Sequence, residues 1–282
     1  LIIDGVLDPI DWSTGTPANA DQPFSSRLES NVGAQATLEE FFRLCDEAGP
    51  ELCAMAPDSA DRYGALAAEL LVSEPAVVEL QVGPTEFAEV PFFYGDLIGF
   101  SLGAMYGSDS WFFFAMDLAA IEAAVFGGTA SPTPGFSVGG DATLGYTAKR
   151  GFPRYMSFEG FPAVACADSD NPDTLQGWID AAGEISFDDY FRQLWTWASS
   201  PCLSFPAADD DRYMGPWTAD TANPVLVAST LYDPATPVDG AIVADGLLAN
   251  SGLLLVEGWG HTTLGISGCA SFFSERYLIT QE

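Results

Sequence analysis

An acid and a histidine occupy matching positions in the C-terminal part of this chain, each just after a run of aliphatic residues. Asp233 lies in Tyr-Asp-Pro-Ala-Thr-Pro after the run 225–229, and His261 lies in Gly-Trp-Gly-His-Thr-Thr after the run 253–256. His261 is the only histidine in 282 residues. A carboxylate that accepts the Nδ1 proton of an imidazole leaves Nε2 as a base. The two residues therefore predict an acid–base pair.

The secondary structure predicted between Asp233 and His261 brings these two residues together. Runs 225–229 and 253–256 have strand composition, and residues 238–248 place apolar side chains at helical intervals. Strand, helix and strand predict a right-handed parallel crossover, which brings the carboxyl ends of both strands to one edge of a sheet. We therefore expect an Asp233 carboxylate oxygen about 2.6–3.2 Å from a His261 ring nitrogen.

Each residue alone also has a structural interpretation. A lone histidine is more often structural than catalytic, and an aspartate before proline, as in Asp233-Pro, commonly starts a turn. The glycines and hydroxyls that flank His261, and an acid one crossover upstream, favour the catalytic interpretation. An acid followed by a histidine is the order of the last two members of an α/β-hydrolase triad.

Four segments carry a resemblance to a known family. They are Tyr213-Met-Gly-Pro-Trp-Thr-Ala-Asp-Thr-Ala-Asn-Pro-Val-Leu-Val, Leu231-Tyr-Asp-Pro-Ala-Thr-Pro, Glu257-Gly-Trp-Gly-His-Thr-Thr-Leu-Gly and the opening Ile3-Asp-Gly-Val-Leu-Asp-Pro. They resemble secreted tripeptidyl-aminopeptidase-like (TAP-like) α/β-hydrolases, the last one resembling the strand after the nucleophile helix. The resemblance implies a serine exopeptidase that takes peptides with a free N-terminus, with Asp233 and His261 as acid and base.

The resemblance also implies the fold and its division. We expect an α/β protein made of the C-terminal portion of an α/β-hydrolase, a parallel sheet with helices, and a large, mainly helical lid insertion. The expected parts are a core strand at residues 1–12, the lid at 13–212 and the C-terminal core at 213–282. Within the lid, Thr37 is expected to cap a helix. Further helices are expected at 61–71, 95–106, 111–126 and 186–199, and a strand at 76–82.

The nucleophile is expected outside this chain. In the family, the Gly-x-Ser-x-Gly elbow precedes the strand that resembles residues 1–12, so the serine belongs to an N-terminal hydrolase half upstream of Leu1. Gly135-Phe-Ser-Val-Gly139 fits the motif in the right order, but an elbow needs a strand before it and a helix after it. Two prolines precede this motif and Gly-Gly-Asp follows it, so we interpret 127–143 as an exposed loop and Ser137 as an improbable nucleophile. We therefore expect the chain alone to be inactive.

The cysteines predict two disulfides. Cys45 and Cys53 are separated by a Gly-Pro turn, and Cys166 and Cys202 lie near the expected junction of lid and core, which leaves Cys269 over. Disulfides indicate an oxidising compartment and hence a secreted protein. The alternative is five reduced thiols in a cytosolic protein.

Charge and motifs exclude several other classes. The chain carries 40 acidic and nine basic residues, for a formal net charge of −31. This balance argues against binding nucleic acid or an anionic membrane, since phosphates need cationic partners. No apolar run is long enough to span a membrane. No cofactor or metal is expected, because Cys-x-x-Cys is missing and the acidic stretch 168–173 lacks the glycine and glutamate of a calcium loop.

Three functions remain open at this point. The favoured one is a serine exopeptidase that closes its lid over the amino end of a peptide. An esterase on the same scaffold is the second, because a triad does not distinguish esters from amides. The third is a non-catalytic relative that binds a partner through the lid. A serine elbow encoded upstream of residue 1 favours the first two over the third.

Overall fold

The computed structural model describes residues 1–81, 87–127, 160–205, 208–218 and 220–281. The chain divides into two compact units, Leu1–Thr37 with Pro153–Glu282, and Leu38–Phe152. Ser137 and most of the predicted loop 127–143 lie outside the described residues. The predicted division at 12 and 212 into core strand, lid and C-terminal core stays a prediction.

The helices and strands follow one another in an α/β pattern. In chain order they are β1 (Ile2–Asp4), α1 (Pro9–Ser13), α2 (Phe24–Arg27), α3 (Ser30–Ala48), α4 (Ser59–Val72), β2 (Ala76–Gln81), β3 (Phe87–Phe92), α5 (Tyr94–Met105), α6 (Trp111–Val125), α7 (Gly160–Asp168), α8 (Leu175–Ala182), α9 (Arg192–Ala198), β4 (Val225–Tyr232), α10 (Val238–Leu247), β5 (Ser251–Trp259) and α11 (Gly268–Thr280).

A parallel sheet of order β1-β4-β5 positions the predicted pair. Ile3 is paired with Val227 and Val227 with Leu253, while α10 makes the crossover from β4 to β5. Val227 is fully buried, and Ile3 and Leu253 pack against it. The predicted strand–helix–strand is therefore confirmed, with strands longer than the aliphatic runs suggested.

The second unit combines helices with a hairpin. Strands β2 and β3 pair antiparallel, with Ala76 opposite Phe92. An aromatic cluster fills the interior of the unit, since the Phe41 ring lies 5.5 Å from that of Trp111 and 5.0 Å from that of Phe114. The predicted helices at 61–71, 95–106 and 111–126 are present as α4, α5 and α6, and the strand at 76–82 is present as β2.

Two helix boundaries were predicted wrongly. Helix α3 begins at Ser30, and Thr37 lies buried inside it, where its Oγ1 donates to the Gly33 carbonyl at 2.8 Å. Threonine bonds to its own helix as readily as it caps one, so the side-chain type alone misled the prediction. In the stretch 186–199, only residues from Arg192 onwards are helical. The Tyr190 N–H donates instead to Gln35 Oε1 at 3.2 Å, a contact that no local sequence pattern reveals.

Both predicted disulfides are confirmed. Cys45 in α3 is bonded to Cys53, and Cys166 in α7 is bonded to Cys202, with Cα–Cα distances of 5.3 and 5.1 Å. Cys269 at the start of α11 is exposed and has no disulfide partner. Among the described helices, none combines the length and apolar character needed to cross a bilayer.

Candidate catalytic site

Asp233 lies directly after β4 and is held by its own loop. Its side chain is almost fully buried, at 1 % exposure. The Oδ1 atom accepts the N–H groups of Ala235 at 2.9 Å and Thr236 at 2.8 Å, and the Thr236 hydroxyl donates to Oδ2 at 2.8 Å. Short side chains that bond the backbone two and three residues on are typical of aspartate turns. The turn therefore fixes the carboxylate at the sheet edge.

His261 follows β5 at the same edge, as its position in the sequence predicted. Its Nδ1 lies 3.0 Å from Asp233 Oδ1 and 3.1 Å from Oδ2, inside the predicted range. The imidazole side chain is 32 % exposed. With the proton on Nδ1 shared with the carboxylate, the neutral ring carries its lone pair on Nε2, the tautomer that a general base needs.

Opposing influences set the charge of Asp233. Burial by itself raises the pKa of this carboxyl, because it removes the charged form from water. The hydrogen bond from His261, the charge of that ring, and the N–H groups of Thr236 and Thr262 act in the opposite direction, and the net pKa lies below its ordinary value. Asp233 is therefore an anion at neutral pH and can orient the imidazole.

The turn that carries His261 has an unusual backbone. Thr262 has φ +68°, in the left-handed region that β-branched residues rarely enter. Its N–H is accepted by Asp233 Oδ2 at 3.0 Å. The next two N–H groups, of Thr263 and Leu264, are accepted by Asp4 at 2.9 and 3.1 Å. Two carboxylates therefore hold three successive N–H groups of one strained turn.

Residues 188–282 match the family model for TAP-like proteins, so the matched range contains both Asp233 and His261. This stretch is therefore similar to the C-terminal portion of TAP-like α/β-hydrolases. No curated protein matches the chain. The resemblance stated from the residues of the C-terminal part is thereby confirmed, and hydrolase chemistry is the activity that this family suggests.

Residues outside the matched range 188–282 also build the site, and sequence reasoning missed them. Asp4 ends β1, as Asp233 follows β4, so the rule that sites form at the carboxyl ends of parallel strands would have marked it. Ser30, at the start of α3, donates its hydroxyl to the Ala235 carbonyl at 2.7 Å. No short motif signals that contact, because 205 residues separate its partners.

Two glycines allow close packing around Asp233 and His261. A Cβ at Gly5, whose φ is +69°, would lie 2.9 Å from Thr262 Cγ2 and 3.3 Å from His261 Cε1. A Cβ at Gly33 in α3 would lie 2.6 Å from the Asp233 carbonyl oxygen. The backbone therefore approaches both loops more closely than a side chain permits.

The remaining candidates for chemistry are the nucleophile Ser137 and a metal site. Ser137 cannot be placed relative to His261, since it lies outside the described residues. Within the ranges that the structure describes, no three histidine, cysteine or acidic side chains converge to hold a metal ion. Asp233 and His261 are therefore the candidate catalytic groups within residues 188–282.

Proposed function

We propose that this protein is a serine hydrolase, more specifically an exopeptidase that releases short peptides from free N-termini. Asp233 is the acid and His261 is the base of its triad. The observation that carries the proposal is the short contact of His261 Nδ1 with both oxygens of a buried aspartate. The match of residues 188–282 to TAP-like proteins supports the hydrolase class.

The proposed reaction follows the chemistry of the pair. The serine Oγ attacks the peptide carbonyl carbon while His261 Nε2 takes the hydroxyl proton, and Asp233 stabilises the imidazolium that forms. His261 then gives this proton to the departing amine, which breaks the C–N bond and leaves an acyl-enzyme. Water attacks the ester by the same route, with His261 as base again, and the serine is restored.

The finer parts of the proposal concern the nucleophile and the substrate. We place the serine before residue 1, in the N-terminal hydrolase half that the family resemblance implies, and not at Ser137. The net charge of −31 gives a negative potential that favours a substrate with a free ammonium terminus, although weakly. The two disulfides fit an oxidising compartment, so we propose that the protein is secreted.

The test uses the protein expressed with the coding sequence that precedes residue 1. Fluorogenic tripeptide amides with free and acetylated N-termini are compared, with an ester of the same peptide as a third substrate. We expect turnover of the free amide and rejection of the acetylated one. A preference for the ester alone would assign an esterase, and turnover of neither would favour a binding protein.

Variants connect the activity to the pair. Asp233→Asn is expected to lower kcat by about 10³–10⁴-fold, because it imposes the wrong tautomer on His261. Asp239→Asn is the matched control, since Asp239 is an exposed acid in the first turn of α10 and outside the site. A fluorophosphonate should label a serine encoded before residue 1. Labelling of Ser137 would place the nucleophile inside the chain, and unchanged kcat in Asp233→Asn would overturn the proposal.

A further inference from the structure

The geometry points to Asp4 as a positioning residue for His261. We name residues 261–264 the histidine turn. Asp4 holds this turn in the conformation that presents the imidazole to Asp233, and it acts through the N–H groups of residues 263 and 264 and the Thr263 hydroxyl. The structural part of this inference stands on the contacts alone, and only its consequence for turnover rests on the proposed function.

Asp4 reaches the histidine turn across the middle strand of the sheet. The order β1-β4-β5 places β4 between the strand that ends in Asp4 and the strand that precedes the turn. Asp4 is paired with Ala228 in β4. It therefore lies near the carboxyl edge of the sheet, the same edge at which Asp233 follows β4. Both of its oxygens are used, with Oδ1 2.9 Å from Thr263 N, and Oδ2 3.0 Å from Thr263 Oγ1 and 3.1 Å from Leu264 N.

The turn needs such a restraint because its backbone is strained. Thr262 adopts φ +68°, and a β-branched residue in this region persists only when its surroundings enforce it. Asp233 secures one side of Thr262 through its N–H, and Asp4 secures the other side through Thr263 and Leu264. Thr263 is only 2 % exposed, so without Asp4 its N–H and hydroxyl would be buried without this acceptor.

Relaxation of the turn would move the ring away from its partner. His261 immediately precedes Thr262, so a change of φ at Thr262 towards the ordinary region reorients the ring relative to residues 263 and 264. The Nδ1 contacts of 3.0 and 3.1 Å with Asp233 depend on the present orientation. Asp4 is therefore a determinant of the acid–base geometry, and its effect is separable from a general contribution to stability.

Asp8 offers the control for general stability. It lies four residues from Asp4 and also accepts two backbone N–H groups, from Ile10 at 2.8 Å and Asp11 at 3.3 Å. Those bonds cap α1 and do not involve the histidine turn. Asp4→Asn and Asp8→Asn thus remove the same charge from similar backbone contacts, and only the first loosens His261.

The readout is the imidazole itself. Since His261 is the only histidine in the chain, the 282-residue protein labelled with ¹⁵N-histidine gives the Nδ1 and Nε2 signals of a single imidazole in NMR. The exchange rate of its Nδ1 proton with solvent and its pH titration are measured in the wild type and in each variant. We expect Asp4→Asn to speed this exchange about tenfold or more. The substitution weakens the charge-assisted bonds to Thr263 and Leu264, so the turn opens more often and exposes the Nδ1 proton to solvent. Asp8→Asn should match the wild type.

A second pair of variants protects the test from misfolding. Thr263→Ser keeps all the bonds to Asp4, whereas Thr263→Val removes only the hydroxyl bond. If Asp4→Asn fails to fold, faster Nδ1 exchange in Thr263→Val than in Thr263→Ser carries the inference. Wild-type exchange and titration in a folded Asp4→Asn, or equal exchange in the two Thr263 variants where Asp4→Asn does not fold, would overturn it. Failure of the proposed function would show separately, as a lack of turnover in the full-length protein with the NMR result unchanged.

Discussion

Asp233 is a buried charge whose cost is offset by its surroundings. Moving a carboxylate from water into a protein interior costs several kcal/mol. Four hydrogen-bond donors, besides the His261 ring, converge on its two oxygens: the N–H groups of Ala235, Thr236 and Thr262 and the Thr236 hydroxyl. Charge-assisted bonds of this kind are stronger than neutral ones. The residue is thus held ionised and in one orientation before any substrate arrives.

The lowered pKa of Asp233 predicts how its contribution to stability depends on pH. A carboxyl whose pKa is lower in the folded than in the unfolded chain stabilises the fold above its ordinary pKa of 3.8, and this contribution disappears as the pH falls through the folded value. We expect Asp233→Asn to lower the free energy of unfolding by about 3 kcal/mol at pH 7. The difference from the wild type should shrink below pH 3.8, measured by urea unfolding.

Asp239→Asn again provides the control, because Asp239 is an exposed acid near the same loop. Its difference from the wild type should stay within about 0.5 kcal/mol at every pH, as expected for a surface substitution. A difference between the wild type and Asp233→Asn that remained constant down to pH 2 would contradict the lowered pKa.

Gly5→Ala tests the close packing beside the imidazole. An alanine there must adopt φ near +69° and place its Cβ 2.9 Å from Thr262 Cγ2. Gly49 is the matched control, since its φ is +76° and a Cβ there would meet no atom within 4 Å. The backbone cost of about 1–2 kcal/mol is common to both variants. Crowding in Gly5→Ala should add about 1–3 kcal/mol, measured by urea unfolding. Equal destabilisation of Gly5→Ala and Gly49→Ala would contradict the expected crowding beside the imidazole.

At the scale of the elements, the sequence predicted what local patterns determine. The apolar runs and the helical spacing of 238–248 were sufficient for β4, α10 and β5, and parallel topology then brought Asp233 and His261 together. The start of α3 was missed because Ser30–Ala36 contains a glycine and few large apolar residues. Ser30 and Gly33 are small where this part of the helix lies against the Asp233 loop, a tertiary reason that no periodicity records.

Gly33→Ala tests whether crowding against the Asp233 loop outweighs the higher helix propensity of alanine. Alanine is favoured over glycine inside a helix by about 1 kcal/mol. Gly103 in α5 shows that gain alone, because a Cβ there would meet no atom within 4 Å. At Gly33 the Cβ would lie 2.6 Å from the Asp233 carbonyl oxygen and 2.9 Å from Pro237 Cγ.

We therefore expect opposite signs for the two substitutions. Gly103→Ala should raise the free energy of unfolding by about 0.5–1 kcal/mol, and Gly33→Ala should lower it by about 1–2 kcal/mol because the crowding exceeds the propensity gain. Chemical unfolding of both variants measures the difference. A stabilised Gly33→Ala would mean that the helix can move away from the loop without loss.

At the scale of the whole molecule, the positions of the cysteines were sufficient to predict the covalent cross-links. Both disulfides were predicted from separations of eight and 36 residues together with the expected junction of lid and core. The position of Asp4 at the end of β1 could have marked it, but its contacts could not be predicted, because its partners in the histidine turn are 259 and 260 residues away. Such long-range contacts depend on the order of the strands in the sheet, which the whole sequence determines and no single segment reveals.

The net charge makes a prediction about the molecule as a whole. With 40 acidic and nine basic residues, most carboxylates have no cation to pair with, so the folded state is destabilised by repulsion among them. Salt also weakens ion pairs such as Arg43 with Glu47 at 2.9 Å, but surface pairs contribute only about 0–1 kcal/mol each. Repulsion therefore dominates the response to salt, and screening should stabilise the protein.

We expect Tm at pH 7 to rise by about 5–10 °C between 20 mM and 1 M NaCl, since the screening length falls from about 20 Å to about 3 Å and each kcal/mol is worth about 2–4 °C in a chain of this size. Measurement at pH 4 is the internal control, because protonation of many carboxylates removes the repulsion that salt would screen. The rise should therefore be smaller at pH 4. An equal rise at both pH values would assign the effect to exclusion of salt from the protein surface, and a fall in Tm would show that the ion pairs outweigh the repulsion.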